Sequence, residues 1–249
     1  MWWGAVSVCS MRETDPVGNG RAMSLLFARE GADVAVADIN LASAEETVAR
    51  IAAEGGKAQA VQADISKPGD IPAMIAAAET ALGQLDGLVL NVGIGVGGLG
   101  LEGTTPQDWD EVLGVNLRGP MLCCKAALPK LADGSPVVFI SSIAGLIAGS
   151  RLPAYDASKA ALGGLMRHVA LEGARRGIRA NIVAPGLVDT PLGRAATRGR
   201  PSRGRTPVPF GRQATGWEIA YAALFLISDE SVYVTAQTLA VDSGLTGIS

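Results

Sequence analysis

The chain is poor in the residues that build metal centres, triads and disulfide frameworks. It has 1 histidine and 3 cysteines in 249 residues, and aromatic residues make up 4%. A lone histidine, His168, cannot supply a histidine-rich metal site or a Ser-His-Asp triad, so no metal is expected and His168 is expected on a helix surface. Cys9, Cys123 and Cys124 do not read as a disulfide framework, because adjacent cysteines seldom bridge. Reduced thiols and a cytoplasmic setting are expected. Charged residues are 18% of the chain and the net charge is −3, which gives no reason to expect a nucleic acid or an anionic membrane as partner. Trp2 and Trp3 make the start apolar, but that stretch is too short and interrupted for a signal peptide or a membrane span.

What the chain does have is apolar content, 48%, enough to bury one sizeable core over residues 1–249. Strand-like apolar runs alternate with helical periods, and there is no internal repeat. Strands are expected at 5–9, 33–38, 58–63, 85–90, 136–141, 178–184 and 238–241. Helices are expected at 21–30, 42–54, after a cap at Ser66, and at 106–131, 154–176 and 217–228. Strict alternation implies a parallel sheet with right-handed crossovers. The fold class is therefore α/β: one doubly wound Rossmann-type domain, its seven-stranded, mostly parallel sheet covered by helices on both faces. Ligands of such sheets sit at the carboxyl ends of the strands. Asp38, Asp64, Asn91, Ser142 and the Pro185-Gly186 pair all fall at expected strand ends.

The stretch from Phe139 to Lys159 concentrates the chemistry. An apolar strand ends in Ser141 and Ser142, a glycine-punctuated loop follows, and Pro153 suits the first turn of a helix. Tyr155 and Lys159 are four apart and share a face of that helix. A nearby ammonium favours the phenolate, so Lys159 is expected to lower the pKa of Tyr155. Such a tyrosine could exchange a proton with a substrate oxygen, and Ser142 could hold that oxygen. Upstream, Gly18-Asn19-Gly20 opens a helix, where free amides and the dipole attract phosphate. Asp38 follows Gly20 by eighteen residues. A carboxylate there can bind both ribose hydroxyls of NAD and repel a 2′-phosphate.

The Ser-Ser end, Tyr155 and Lys159 resemble the active-site signature of the short-chain dehydrogenase/reductase family, and the resemblance runs from about Gly18 to the C-terminus. It implies catalytic roles for Asn116, Ser142, Tyr155 and Lys159, with Asn116 kinking its helix, binding water and extending a proton path to Lys159. It implies NAD as cofactor, held by Gly18, Asn19, Gly20, Asp38, Ile39, Asp64, Ile65, Asn91, Gly93, Tyr155, Lys159, Pro185, Gly186, Val188 and Thr190. Three positions depart from the family pattern. Thr14 or Ser10 stands where a first glycine is usual, near Glu13 and Asp15, Val92 stands where alanine is usual, and Ser243 stands where glycine is usual.

The resemblance further implies a substrate lid at 193–212, here with six arginines, which reads as a mobile stretch. Leu146, Ile147, Leu152, Ile94 and Val96 are expected to make the pocket mouth apolar. A small alcohol or ketone is the implied substrate and a homotetramer the implied assembly. Two alternatives stay open: a 3-oxoacyl-thioester reductase, favoured by the arginines, and a catalytically silent binding protein of the same fold, favoured by the altered phosphate loop.

Overall fold

A computed structural model describes residues 16–248. The expected first strand, Ala5–Cys9, and the positions Ser10, Glu13, Thr14 and Asp15 lie outside the described residues. The elements run β1 (Val34–Asp38), β2 (Ala58–Gln62), β3 (Leu88–Leu90), β4 (Pro136–Ile140), β5 (Arg179–Pro185), β6 (Val188–Asp189), β7 (Ala214–Thr215) and β8 (Thr238–Val241). The helices between them are α1 (Asn19–Arg29), α2 (Leu41–Ala53), α3 (Asp70–Leu82), α4 (Gly100–Gly103), α5 (Pro106–Leu113), α6 (Gly119–Ala127), α7 (Pro153–Gly173), α8 (Pro191–Gly199) and α9 (Gly216–Ile227).

All strand pairs are parallel. They form the order β3-β4-β5-β8, a separate β1-β2 pair, and the short β6-β7 pair. The alternation along β4 shows why helices cover both faces. Val137 and Phe139 join the core under α3, α6 and α7, whereas Val138 and Ile140 join the core under α1 and α9. Val137, Val138 and Phe139 are fully buried, each stabilising the fold by roughly 1.5–3 kcal/mol.

The expected seven strands of one sheet are therefore not continuous among the described residues. β1 pairs only with β2, and β3 only with β4. Val34, Val36, Leu88 and Leu90 line one cleft together with the start of α1.

Several boundaries differ from those read in the sequence. Ser66 does not cap a helix: α3 starts at Asp70 behind Gly69, and the Ser66 hydroxyl donates to Asp64 at 2.7 Å. Lys67-Pro68-Gly69 accounts for the delay, since the residue before a proline is pushed out of helical backbone. The expected helix 106–131 is three pieces, α5, a π-helical turn over Gly114–Arg118, and α6. Pro120 has no N–H for the carbonyl of Asn116, so a regular α-helix cannot pass that point. α6 then stops before Pro129. His168 is exposed on α7 and pairs with Glu172, and Cys123 and Cys124 are buried free thiols.

Candidate active site

β4 delivers two serines and α7 delivers the tyrosine and lysine. The Ser141 hydroxyl donates to the Lys159 carbonyl at 2.9 Å, tying the strand end to the helix. Ser142 is extended and accepts from the Ala144 N–H at 3.2 Å, which caps the turn Ile143–Gly145. A side chain on Gly145 would lie 2.7 Å from the Lys159 backbone, so this loop rests directly on α7.

Lys159 is 4% exposed. Its ammonium donates to the Ile140 carbonyl at 3.0 Å and sits 5.7 Å from the Tyr155 ring centroid. Burial pushes its pKa down to about 8. The expected depression of the Tyr155 pKa by Lys159 is not found. Burial raises it, a hydrogen bond with Ser142 opposes that, Asp156 raises it further, and Arg203 and Arg200 lower it. Desolvation penalises the phenolate more than the surrounding charges favour it.

Asn116 lies in the π-helical turn and is fully buried. Its Oδ1 accepts from the Ile94 N–H at 2.8 Å and its Nδ2 donates to the Ile94 carbonyl at 2.8 Å. Nδ2 also donates to the Ser158 hydroxyl at 3.0 Å, which in turn donates to the Tyr155 carbonyl. Asn116 thus clamps the loop after β3 to α7. Gly93 must stay small in this clamp: a Cβ there would lie 2.8 Å from the Lys159 ammonium. Ser158 escaped the sequence reading, and Ile94 entered it only as an apolar residue of the pocket mouth. The one signal for Ser158 was its place between Tyr155 and Lys159.

The opposite wall of the cleft begins at α1. Gly18 is its extended N-cap with no side-chain cap, and no acidic residue stands in the first turn. Asn19 Oδ1 is buried without a partner among the described residues. Gly20 lets α1 approach the end of β3, since a Cβ there would meet Asn91 Nδ2 at 2.9 Å. Arg21 is turned away from that terminus and engages Glu46 and Thr47. One oxygen of Asp38 accepts from the Asn40 N–H at 2.8 Å, leaving the other open, and Ile39 is exposed.

Asp64 accepts from Ser66 and faces Lys67 at 3.6 Å, hydrogen bonds and a charge that hold its carboxyl below the usual carboxylate range. A single cleft is lined by Gly18, Asn19, Gly20, Asp38, Ile39, Asp64, Ile65, Asn91, Gly93, Tyr155, Lys159 and Thr190. Asn116, Ser142, Pro185, Gly186 and Val188 stand outside that lining. Gly186 instead serves packing: it donates to Val241 at 3.0 Å, and a Cβ on it would meet Asp242 at 2.8 Å. Val188 is buried, and Thr190 caps α8 by accepting from the Gly193 N–H at 3.0 Å.

These features fit a dinucleotide. The uncapped helix start, the glycine contact at Asn91 and the half-open Asp38 carboxylate are the parts that a pyrophosphate and an adenosine ribose require.

The stretch expected to be a mobile lid is α8 followed by a 3₁₀ turn, Pro201–Arg205. Thr190 and Pro191 supply a cap and a first-turn proline that glycine and arginine content concealed. Of the apolar residues expected at the mouth, Leu146, Ile147 and Val96 are exposed, Ile94 is half-buried and Leu152 is buried; Leu192 and Phe210 add exposed apolar surface that was not foreseen.

A family model described as Enoyl-(Acyl carrier protein) reductase matches residues 16–246. The chain belongs to the short-chain dehydrogenase/reductase family, a family of oxidoreductases. It is 36% identical over 240 residues to 2-(S)-hydroxypropyl-CoM dehydrogenase 3 of Xanthobacter autotrophicus, covering 93% of each chain. It is similar to a 3-ketoacyl-(acyl-carrier-protein) reductase of Brucella melitensis complexed with NADH, with a TM-score of 0.83 and 32% identity over 91% of this chain and 93% of that one. A blue fluorescent protein from a metagenomic library in complex with NADPH gives a TM-score of 0.85 and 32% identity, covering 92% of this chain and 94% of that one.

Proposed function

We propose that the protein interconverts a secondary alcohol and a ketone, with NAD(H) as cofactor and Tyr155 as acid and base. The observation that carries this is that Tyr155 and Lys159 line the same cleft as the uncapped start of α1. When bound, the nicotinamide supplies or accepts the hydride. Ser142, whose hydroxyl acts on the phenol, orients the substrate oxygen. Tyr155 donates its proton to that oxygen in reduction and removes it in oxidation. Lys159 holds the nicotinamide ribose and stabilises the phenolate as it forms. Asn116 positions the loop at Ile94 and, through Ser158, the start of α7.

Gly18, Asn19 and Gly20 hold the pyrophosphate, and Asp38 with Ile39 the adenosine ribose. Asp64 and Ile65 take the adenine side. Asn91 and Gly93 line the channel, and Pro185, Gly186, Val188 and Thr190 the carboxamide side. The carboxylate of Asp38 favours NAD over NADP. One domain, a lid at 193–212, a cytoplasmic setting and a homotetramer complete the reading. The strands belong to one seven-stranded, mostly parallel sheet.

The deciding experiment is Tyr155→Phe. Turnover should fall at least a thousandfold with nucleotide affinity near the wild-type value; a variant that kept full activity would end this reading. The second reading is a reductase of 3-oxoacyl thioesters, supported by the similarity to the Brucella melitensis enzyme. Titration with NADH and NADPH, followed by turnover of a 3-oxoacyl thioester, separates the two.

A further inference from the structure

The six arginines of the lid fall into three groups. Arg194 forks onto Asp189 at 2.7 and 2.9 Å, and Arg212 onto Glu218 at 2.8 and 2.6 Å. Arg198 and Arg205 are exposed to solvent. Arg203 and Arg200 are half-buried, and neither forms an ion pair among the described residues.

Arg203 is anchored from one side only. Its Nη1 donates to the Gly193 carbonyl at 3.0 Å and to Thr197 Oγ1 at 2.8 Å, which leaves Nε and Nη2 without an acceptor among the described residues. The anchor is stiff, because Gly193 packs so tightly that a Cβ would lie 2.2 Å from the Val188 carbonyl. Thr190, Pro191 and Leu192, at the start of the helix that anchors Arg203, line the cleft together with Tyr155, and the charges of Arg203 and Arg200 act on each other and on the Tyr155 hydroxyl. Arg194 already forks onto Asp189, whose charge also reaches Arg203, as that of Asp156 reaches Arg200, in both cases without an ion-pair contact among the described residues. A partly desolvated guanidinium fork with no carboxylate in contact is costly, and its planar geometry matches a bidentate oxyanion.

We infer that the free side of Arg203, with Arg200 beside it, receives an anionic group carried by the small ketone or alcohol whose oxygen meets Tyr155. The group is a carboxylate, sulfonate or phosphonate. This rests on the oxidoreductase reading and narrows its substrate class.

The test uses 2-, 3- and 4-oxo carboxylic acids, each beside its own methyl ester, with the full-length protein and NADH. At least one acid should be preferred to its ester in kcat/KM by on the order of 10- to 100-fold. Arg203→Met should abolish that preference, whereas Arg198→Met should keep it. Damage to the lid itself would lower acid and ester alike and leave their ratio unmoved, so the ratio isolates charge recognition.

Equal use of acids and esters, or a preference that survives both Arg203→Met and Arg200→Met, overturns the inference and leaves the oxidoreductase reading standing. If nucleotide binds but nothing turns over, the acids are titrated into the NADH complex, and absence of binding overturns it as well. No binding of either nucleotide would instead overturn the oxidoreductase reading and the inference together.

Discussion

Lys159 sits 5.7 Å from the Tyr155 ring centroid yet gives its hydrogen bond to the Ile140 carbonyl. The ammonium is therefore held as a buried charge by the end of β4, and that placement has consequences for stability as well as chemistry.

Lys159 titrates at about 8 in the folded chain against 10.5 when unperturbed. Between those values the unfolded chain holds a proton that the folded chain has lost, so stability rises with pH across the window. As pH falls through 8 the folded state must carry the charge in its interior, at a cost of about 3 kcal/mol. Lys159→Met should therefore unfold several degrees higher than the wild type at pH 7 while losing turnover. The gap should close as pH approaches 10.5; calorimetry at pH 7, 8.5 and 10 checks both statements.

The two directions of reaction should respond oppositely to pH. Burial keeps Tyr155 protonated above its ordinary range, so the proton donor survives alkaline conditions. Ketone reduction should hold level through neutrality and then fall above pH 8 as Lys159 loses its charge. Alcohol oxidation, which needs the phenolate, should rise with pH. A reduction profile that stayed flat to pH 10 would remove Lys159 from the scheme.

Asp38→Ala should raise the KM for NADH by about 10- to 100-fold, as a charge-assisted ribose contact is lost, and should change the KM for NADPH far less. Steady-state kinetics with both nucleotides measures the ratio. An unchanged ratio would mean that the carboxylate meets solvent and no ribose.

Asn116→Ala removes a fully buried amide that satisfies both the N–H and the carbonyl of Ile94. Leaving those groups unpaired should cost about 1–3 kcal/mol each and loosen the loop at Gly93. Denaturant unfolding should show the loss, and Asn116→Asp, which keeps only the acceptor, should recover part of it.

Much of the fold was legible because burial on both faces gives the strands short, continuous apolar runs: β4 and β8 fall where composition places them. Elements governed by missing N–H groups were less legible. Periodicity around Asn116 reads as one long helix, while Pro120 forces a π-helical turn that no apolar pattern announces. Tyr155 and Lys159 were readable as a pair from their spacing, but the direction of the tyrosine's shift was not, because spacing carries no information on desolvation. The lid arginines were countable in advance. Which of them were already paired depended on Asp189 and Glu218, residues on other elements.

Gly145 against the Lys159 backbone and Gly93 against its ammonium lock the reacting groups to strand and helix. The exposed apolar residues at 96, 146, 147, 192 and 210 belong to segments outside that lock. Selectivity and reactivity are thus separable traits in this scaffold. A library confined to 96–101, 146–151 and 192–210 can be screened for new substrates with the proton-transfer geometry inherited intact, whereas any residue larger than glycine at 93 or 145 would be purged whatever the substrate.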